Sequence, residues 1–253
     1  MGDNRPIAII DSGLGGLSIA QAIWPLLPHE STLYLADHLF FPYGEKDELT
    51  INHRLIPLIN FCLTKNCKLV VIACNTITAS SISFLRSIYP LPFIGTEPAI
   101  KPAIRANFKE NIVVLATQAT IAKLHLSASI QAIACRDLAP AIEKYGADPR
   151  RLTPVVKKYL SLIKSPYSAI VLGCTHYLLI KNLIKSLLPP NVVIIEPSQA
   201  IARQTQAVLT KKNLLAVNAK ASRVFYTTAN RRSVSLIASK LLKSRIIFTS
   251  CSL

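Results

Sequence analysis

Apolar residues along this chain gather into short runs bounded by polar or turn-forming residues. Between these runs lie longer stretches in which apolar positions recur every three or four residues. Short runs of this kind read as buried strands, and the periodic stretches as amphipathic helices. Strands are expected at Pro6–Ile10, Thr32–Ala36, Leu69–Ala73, Pro92–Ile94, Asn111–Ala116, Ser168–Leu172, Val192–Ile195 and Val224–Thr227. Helices are expected at Leu17–Leu26, Leu49–Thr64, Ser80–Ile88, Leu138–Tyr145, Leu152–Ile163, Tyr177–Leu188, Ile201–Leu209 and Val234–Leu242. Thr117–Thr120 reads as a polar turn into a helix. Thr96–Pro102 holds two prolines, which block a continuous helix, so it reads as a crossing between domains. The alternation gives an α/β class, with two similar three-layer domains, mostly parallel sheets and one shared cleft. The halves echo each other in pattern rather than identity: strand, polar loop, helix, and later strand, Cys, polar pair, helix.

The second pattern carries the chemistry. Leu69-Val70-Val71-Ile72-Ala73 ends at Cys74-Asn75-Thr76, and Ala169-Ile170-Val171-Leu172-Gly173 ends at Cys174-Thr175-His176. Side chains at the carboxyl ends of strands in an open α/β sheet face the ligand crevice. One thiol from each half would therefore meet in one cleft. A thiolate on one face of a carbon can remove a proton while a thiol on the other face returns one. Both thiols precede a helix and one has an imidazole nearby, features that lower a thiol pKa. Ile7–Asp11 followed by Ser12-Gly13-Leu14-Gly15-Gly16 is a strand running into a glycine-rich turn, whose backbone N–H groups suit an anion. With Asn75 and Thr76, that turn is expected to hold a substrate carboxylate. A dinucleotide reading of the turn lacks the third glycine of the fingerprint, although Asp37 stands at the spacing of a ribose-binding acid. Pro42-Tyr43-Gly44 is a rigid turn presenting a phenol, and Glu143 lies on a helix.

Composition sharpens this picture. At 51% hydrophobic, the chain can bury a sizeable core. No apolar run is long enough to span a bilayer. The opening residues run straight into a strand with no leader-like segment, so a cytoplasmic protein with reduced thiols is expected. None of the six cysteines forms a Cys-x-x-Cys pair. Cys62, Cys67, Cys135 and Cys251 read as packing thiols. His29, His38, His53 and His125 show no metal-ligand spacing, and no lysine-centred Schiff-base motif stands out. Neither a metal nor an organic cofactor is expected.

In their order, Asp11-Ser12-Gly-Leu-Gly-Gly16, Pro42-Tyr43-Gly44, Cys74-Asn75-Thr76, Glu97-Pro98-Ala99, Cys135 through Glu143, and Gly173-Cys174-Thr175-His176-Tyr177 resemble bacterial glutamate racemase, of the aspartate/glutamate racemase superfamily. The resemblance covers nearly the whole chain. It implies two α/β domains with substrate between them and a chain that returns to the first domain, here 1–97 plus 206–253 against 98–205. It also implies cofactor-free interconversion of L- and D-glutamate, supplying D-glutamate for peptidoglycan. By the same resemblance Cys74 and Cys174 are the acid/base thiols, assisted by Asp11, Glu143 and His176. Asp11, Ser12, Tyr43, Gly44, Asn75, Thr76, Thr117, Thr120, Thr175 and His176 hold the substrate. Ala116 and Ala119 replace usual glycines, and Leu178 a usual proline.

Charge is the one feature outside this frame. The chain carries 29 Lys and Arg against 13 Asp and Glu, a formal +16. From Pro197 to Leu253 there are ten basic residues and no acidic one. A nucleic-acid or gyrase contact through this segment is the alternative reading, weighed against a plain basic surface. A homodimer is left open.

Overall fold

The computed structural model describes residues 2–164, 166–217 and 220–253. The chain runs β1 (Ile7–Asp11), α1 (Leu17–Leu26), β2 (Thr32–Ala36), α2 (Glu48–Thr64), β3 (Leu69–Ile72), α3 (Asn75–Ile88) and β4 (Phe93–Gly95). A second series follows: α4 (Ile100–Arg105), β5 (Asn111–Ala116), α5 (Gln118–Ala122), β6 (Ile130–Ala134), α6 (Leu138–Tyr145), α7 (Pro149–Leu160), β7 (Tyr167–Gly173), α8 (Thr175–Leu179), α9 (Lys181–Ser186) and β8 (Val193–Ile195). The chain ends with α10 (Ser198–Lys211), β9 (Arg223–Thr227), α11 (Arg231–Leu242) and β10 (Phe248–Ser250).

Two sheets result, and every strand pairing in them is parallel. The first has order β10-β9-β2-β1-β3-β4 and the second β6-β5-β7-β8. The central strands are covered on both faces, which is why they read as unbroken apolar runs. Successive side chains alternate between faces. Ile7, Ile9, Leu69 and Val71 enter one core, while Ala8, Ile10, Val70 and Ile72 enter another on the far side of the sheet. The second sheet repeats this, with Val113, Leu115, Ile170 and Leu172 on one face and Ile112, Val114, Ala169 and Val171 on the other.

The repeat anticipated from pattern is present in topology. Strand order β2-β1-β3-β4 in the first sheet matches β6-β5-β7-β8 in the second, so Cys74 after β3 and Cys174 after β7 occupy equivalent strand ends. The C-terminal β9 and β10 extend the first sheet beyond β2. α10 packs along α1, and its Ile201, Ala202 and Leu209 join the first sheet's core. The expected 205/206 boundary lies within α10.

Three elements differ from expectation. A helix begins at Ile100 despite Pro102, because a proline in the first turn removes only an N–H that has no partner within the helix. The helix expected over Tyr177–Leu188 breaks at Ile180, whose backbone (φ −115°, ψ 20°) leaves the helical region. Strands β6 and β10 were not anticipated; both lie at sheet edges. Among the described residues, no helix is long and apolar enough to cross a membrane.

Candidate active site

Cys74 caps α3 and Cys174 caps α8, each in extended backbone between a buried strand and a helix N-terminus. Both thiols line one small cavity between the two units. Ser12, Tyr43, Gly44, Asn75, Thr76, Thr117, Thr175 and His176 line it too, together with Phe41, Pro42 and Ala139. Asp11, Glu143 and Thr120 stand behind this lining, all buried. The cavity volume is about 20 Å³, room for roughly one water. A larger cavity of about 510 Å³ lies beyond Asn75, bordered by Thr96, Glu97, Lys101 and Lys123, but it contains neither thiol.

Behind Cys174 runs a chain of ionisable groups. His176 Nδ1 lies 3.9 Å from Cys174 Sγ, and His176 Nε2 lies 2.7 Å from Glu143 Oε1. Glu143 Oε1 also accepts the Leu14 N–H at 2.7 Å, and Oε2 meets His38 Nε2 at 3.0 Å. Burial pushes the Glu143 carboxyl up, but the hydrogen bonds from His176 and His38 outweigh it and hold the group well below its ordinary range. Burial pulls His176 down, and its bonds to Cys174 and Glu143 reverse this, leaving it well above the usual imidazole value. The 2.7 Å contact is that of a ring Nε2–H donating to the Glu143 carboxylate. Gly15 N–H also points at this nitrogen, 3.2 Å away.

Two expectations are corrected here. The glycine turn was assigned to a substrate carboxylate, yet its Leu14 N–H is taken by the protein's own Glu143. A Cβ at Gly13 would lie 2.0 Å from Glu143 Oε1, and one at Gly15 would lie 2.4 Å from Thr175 Oγ1 and His176 Nδ1. These glycines let the turn close onto the second unit. The second correction concerns the thiols. Burial, with the Asp11 charge next, raises Cys74 to about 12 instead of lowering it. Cys74 Sγ points to Ser12 Oγ at 3.8 Å, and among the described residues no cationic side chain hydrogen-bonds it. Burial also raises Asp11, against the His176 charge and the N–H groups of Gly16 and Gly13; Asp11 Oδ1 accepts the Thr175 hydroxyl at 3.3 Å.

The remaining candidates fall into place around the two strand ends. Thr76, Thr117 and Thr120 join hydroxyls across the units, with Thr76–Thr117 and Thr117–Thr120 both 2.9 Å. Asn75 Nδ2 donates to Thr96 O at 2.9 Å, while its Oδ1 is buried without a partner. Tyr43 lines the cavity, but its hydroxyl donates to Asp37 at 2.5 Å. Asp37 is also gripped by Arg54 at 2.6 and 2.8 Å, which disposes of a ribose-binding role. Gly173 is needed because a Cβ there would meet Ala116 Cβ at 2.9 Å. His38 was passed over in the sequence. Glu143 carried a readable signal: with Leu138, Ala139 and Ile142 it forms the buried stripe of α6, where a carboxylate needs partners.

The sequence model of the Asp/Glu/Hydantoin racemase family matches residues 17–205. The chain belongs to this family. It is 35% identical over 238 residues to a glutamate racemase of Pseudomonas paraeruginosa, covering 90% of each protein. Among solved structures, a glutamate racemase isoform from Bacillus anthracis superposes with a TM-score of 0.89 at 30% identity, covering 99% of this chain and 98% of that one. The Francisella tularensis glutamate racemase in complex with D-glutamate gives 0.84 at 28% identity, covering 99% and 98%. The likeness to these solved racemases extends over nearly the whole chain, both sheets included.

Proposed function

We propose that this racemase interconverts L- and D-glutamate without a cofactor, using Cys74 and Cys174 as its two acid/base groups. The observation that carries the reading is the pair of thiols at equivalent strand ends, each capping a helix and both lining one cavity. The D-glutamate bound by the Francisella relative supports the substrate. The closed cavity is too small for an amino acid, so the units part to admit it and then close, excluding water.

The two sides are not equivalent. The charge that Cys174 carries as a base is met by the His176 ring 3.9 Å away, itself held by Glu143. Cys74 has no such cation, so the substrate's own ammonium supplies the positive charge when Cys74 acts as base. By family likeness, Cys174 serves L-glutamate and Cys74 D-glutamate. With Leu14 N–H engaged, the α-carboxylate falls to the backbone and side-chain donors at the heads of α3 and α8: Asn75, Thr76, Thr175 and Ser12. Asp11 and Thr120 act from behind, on Thr175 and on the threonine cluster. Tyr43 and Gly44 contribute shape. The same reading takes 1–97 plus 206–253 and 98–205 as two domains, with the second crossing drawn back to the head of α10. It places the enzyme in the cytoplasm, supplying D-glutamate for peptidoglycan.

The test is circular dichroism of purified protein with L-glutamate and no added cofactor. Ellipticity should decay to zero with the parent and stay constant with Cys74→Ala or Cys174→Ala. Near-parent decay in either variant removes that thiol from the mechanism.

A further inference from the structure

Glu143 is held from two sides, and racemisation as described uses only one of them. Its Oε1 serves His176 and Leu14, while its Oε2 meets His38 Nε2 at 3.0 Å. His38 opens a single 3-10 turn (His38–Phe40) directly after buried Asp37, at the carboxyl end of β2. Its other nitrogen, Nδ1, lies 2.9 Å from the Thr227 hydroxyl at the end of β9. Thr227 Oγ1 also accepts the Ala229 N–H at 3.2 Å, so the hydroxyl proton can go to Nδ1. That arrangement puts a ring proton on His38 Nε2, facing the carboxylate. The imidazole side chain is 9% exposed and lies beside Phe41, with ring centroids 6.3 Å apart.

We propose that His38 is a positioning residue for racemisation: oriented by Thr227, it fixes the Glu143 carboxylate in the one rotation that serves His176, and does so only in the closed cleft. The inference rests on the racemase reading above. A carboxylate gripped at one oxygen can swing about its terminal torsion, which is broad and soft; gripping Oε2 as well removes that freedom. Glu143 comes from the second unit, whereas His38, Thr227 and Leu14 come from the first, so the grip forms on closure. The returned C-terminal strand β9 thereby gains a part in the site. The ionisable groups facing Glu143 are His38, His176, Asp11 and Tyr34, with Cys174 beyond His176. Of these, His38 and His176 donate to the carboxylate. Without the His38 donor, burial raises the carboxyl, and protonation cuts the His176 support at a higher pH.

His38→Ala should lower kcat by roughly tenfold to a hundredfold, the worth of one hydrogen bond to a charged group. KM should stay within about twofold, and the acid limb of the kcat profile should move to higher pH. His38→Gln, which keeps a side-chain N–H, should recover most of kcat. Thr227→Val should shift both quantities in the same direction but less. An ion pair that merely helped closure would raise KM, leave the acid limb in place and gain nothing from Gln. Any of those results, or parental kcat in His38→Ala, overturns the proposal. Should the parent fail to racemise glutamate, the racemase reading falls. Carbon-13 NMR of the Glu143 carboxyl in parent and His38→Ala still decides the coupling: titration at higher pH in the variant supports it, and superimposable titrations overturn it.

Discussion

Replacing Gly13 by alanine probes the closed cleft with one methyl group. The new Cβ would stand 2.0 Å from Glu143 Oε1, and ordinary contact begins at 3.4 Å, so the carboxylate must retreat by about 1.4 Å. Phe41 Cδ2, at 3.1 Å, closes off an easy sideways escape for the methyl. That retreat takes the 2.7 Å bonds to Leu14 N–H and His176 Nε2 beyond hydrogen-bonding range. Each is a bond to a charged group, worth roughly 1.5–3 kcal/mol, so the pair is worth roughly 3–6 kcal/mol. The Leu14 bond joins the two units and the His176 bond lies within the second; with both lost, kcat/KM should fall by roughly a hundredfold to ten-thousandfold. The left-handed region is not used at Gly13, so alanine is tolerated by the local backbone, and the melting temperature should move little. Initial rates of ellipticity loss over a range of L-glutamate concentrations measure the effect. The double variant Gly13→Ala/Glu143→Ala should be no worse than Glu143→Ala alone, because the clash has lost its object. A Gly13→Ala enzyme within about threefold of the parent would refute the reasoning from this contact.

Arg54→Met leaves Asp37 buried without its cation, which costs roughly 3–5 kcal/mol and should lower the melting temperature on the order of 10 °C; an unchanged melting curve would show the pair to be dispensable. Burial and the Asp11 charge raise Cys74 from 9.0 to about 12 in the folded protein, so the neutral thiol stabilises the fold below pH 9 and that contribution fades as pH climbs toward 12. Cys74→Ser should therefore lose melting temperature less steeply above pH 9 than the parent, with residual slope from Cys135, which burial also raises to about 12; parallel slopes would contradict this. Glutamate is an anion and the protein carries +16, so added salt should lower kcat/KM and leave kcat nearly unchanged. A kcat that falls in step would place the salt effect at the chemical step.

The central strands were legible because a strand covered on both faces must be apolar throughout. Strands β6 and β10 were not, since Gln131 and the alanines of one, and the three residues of the other, carry little of that signal at a sheet edge. The break at Ile180 has no glycine or proline to announce it. Cys74 and Cys174 could be placed from strand-to-helix punctuation alone, and the glycine turn likewise. What that turn binds could not, because its partner Glu143 lies 129 positions away from Leu14. The rise of Cys74 toward 12 was also hidden: a helix N-terminus lowers a thiol pKa, but full burial beside Asp11 outweighs it. His38 gains its role only through Thr227, 189 residues further along the chain.

The central claim is that one thiol takes the α-proton and the other, on the opposite face, returns a different one. Racemisation in deuterated water, stopped after a few per cent conversion, tests it. The product enantiomer should carry solvent deuterium at the α-carbon while the recovered substrate keeps its protium, from either enantiomer as starting material. Product that retains the substrate's proton, or substrate that fills with deuterium as fast as product forms, would mean a single group serving both faces and would contradict the account.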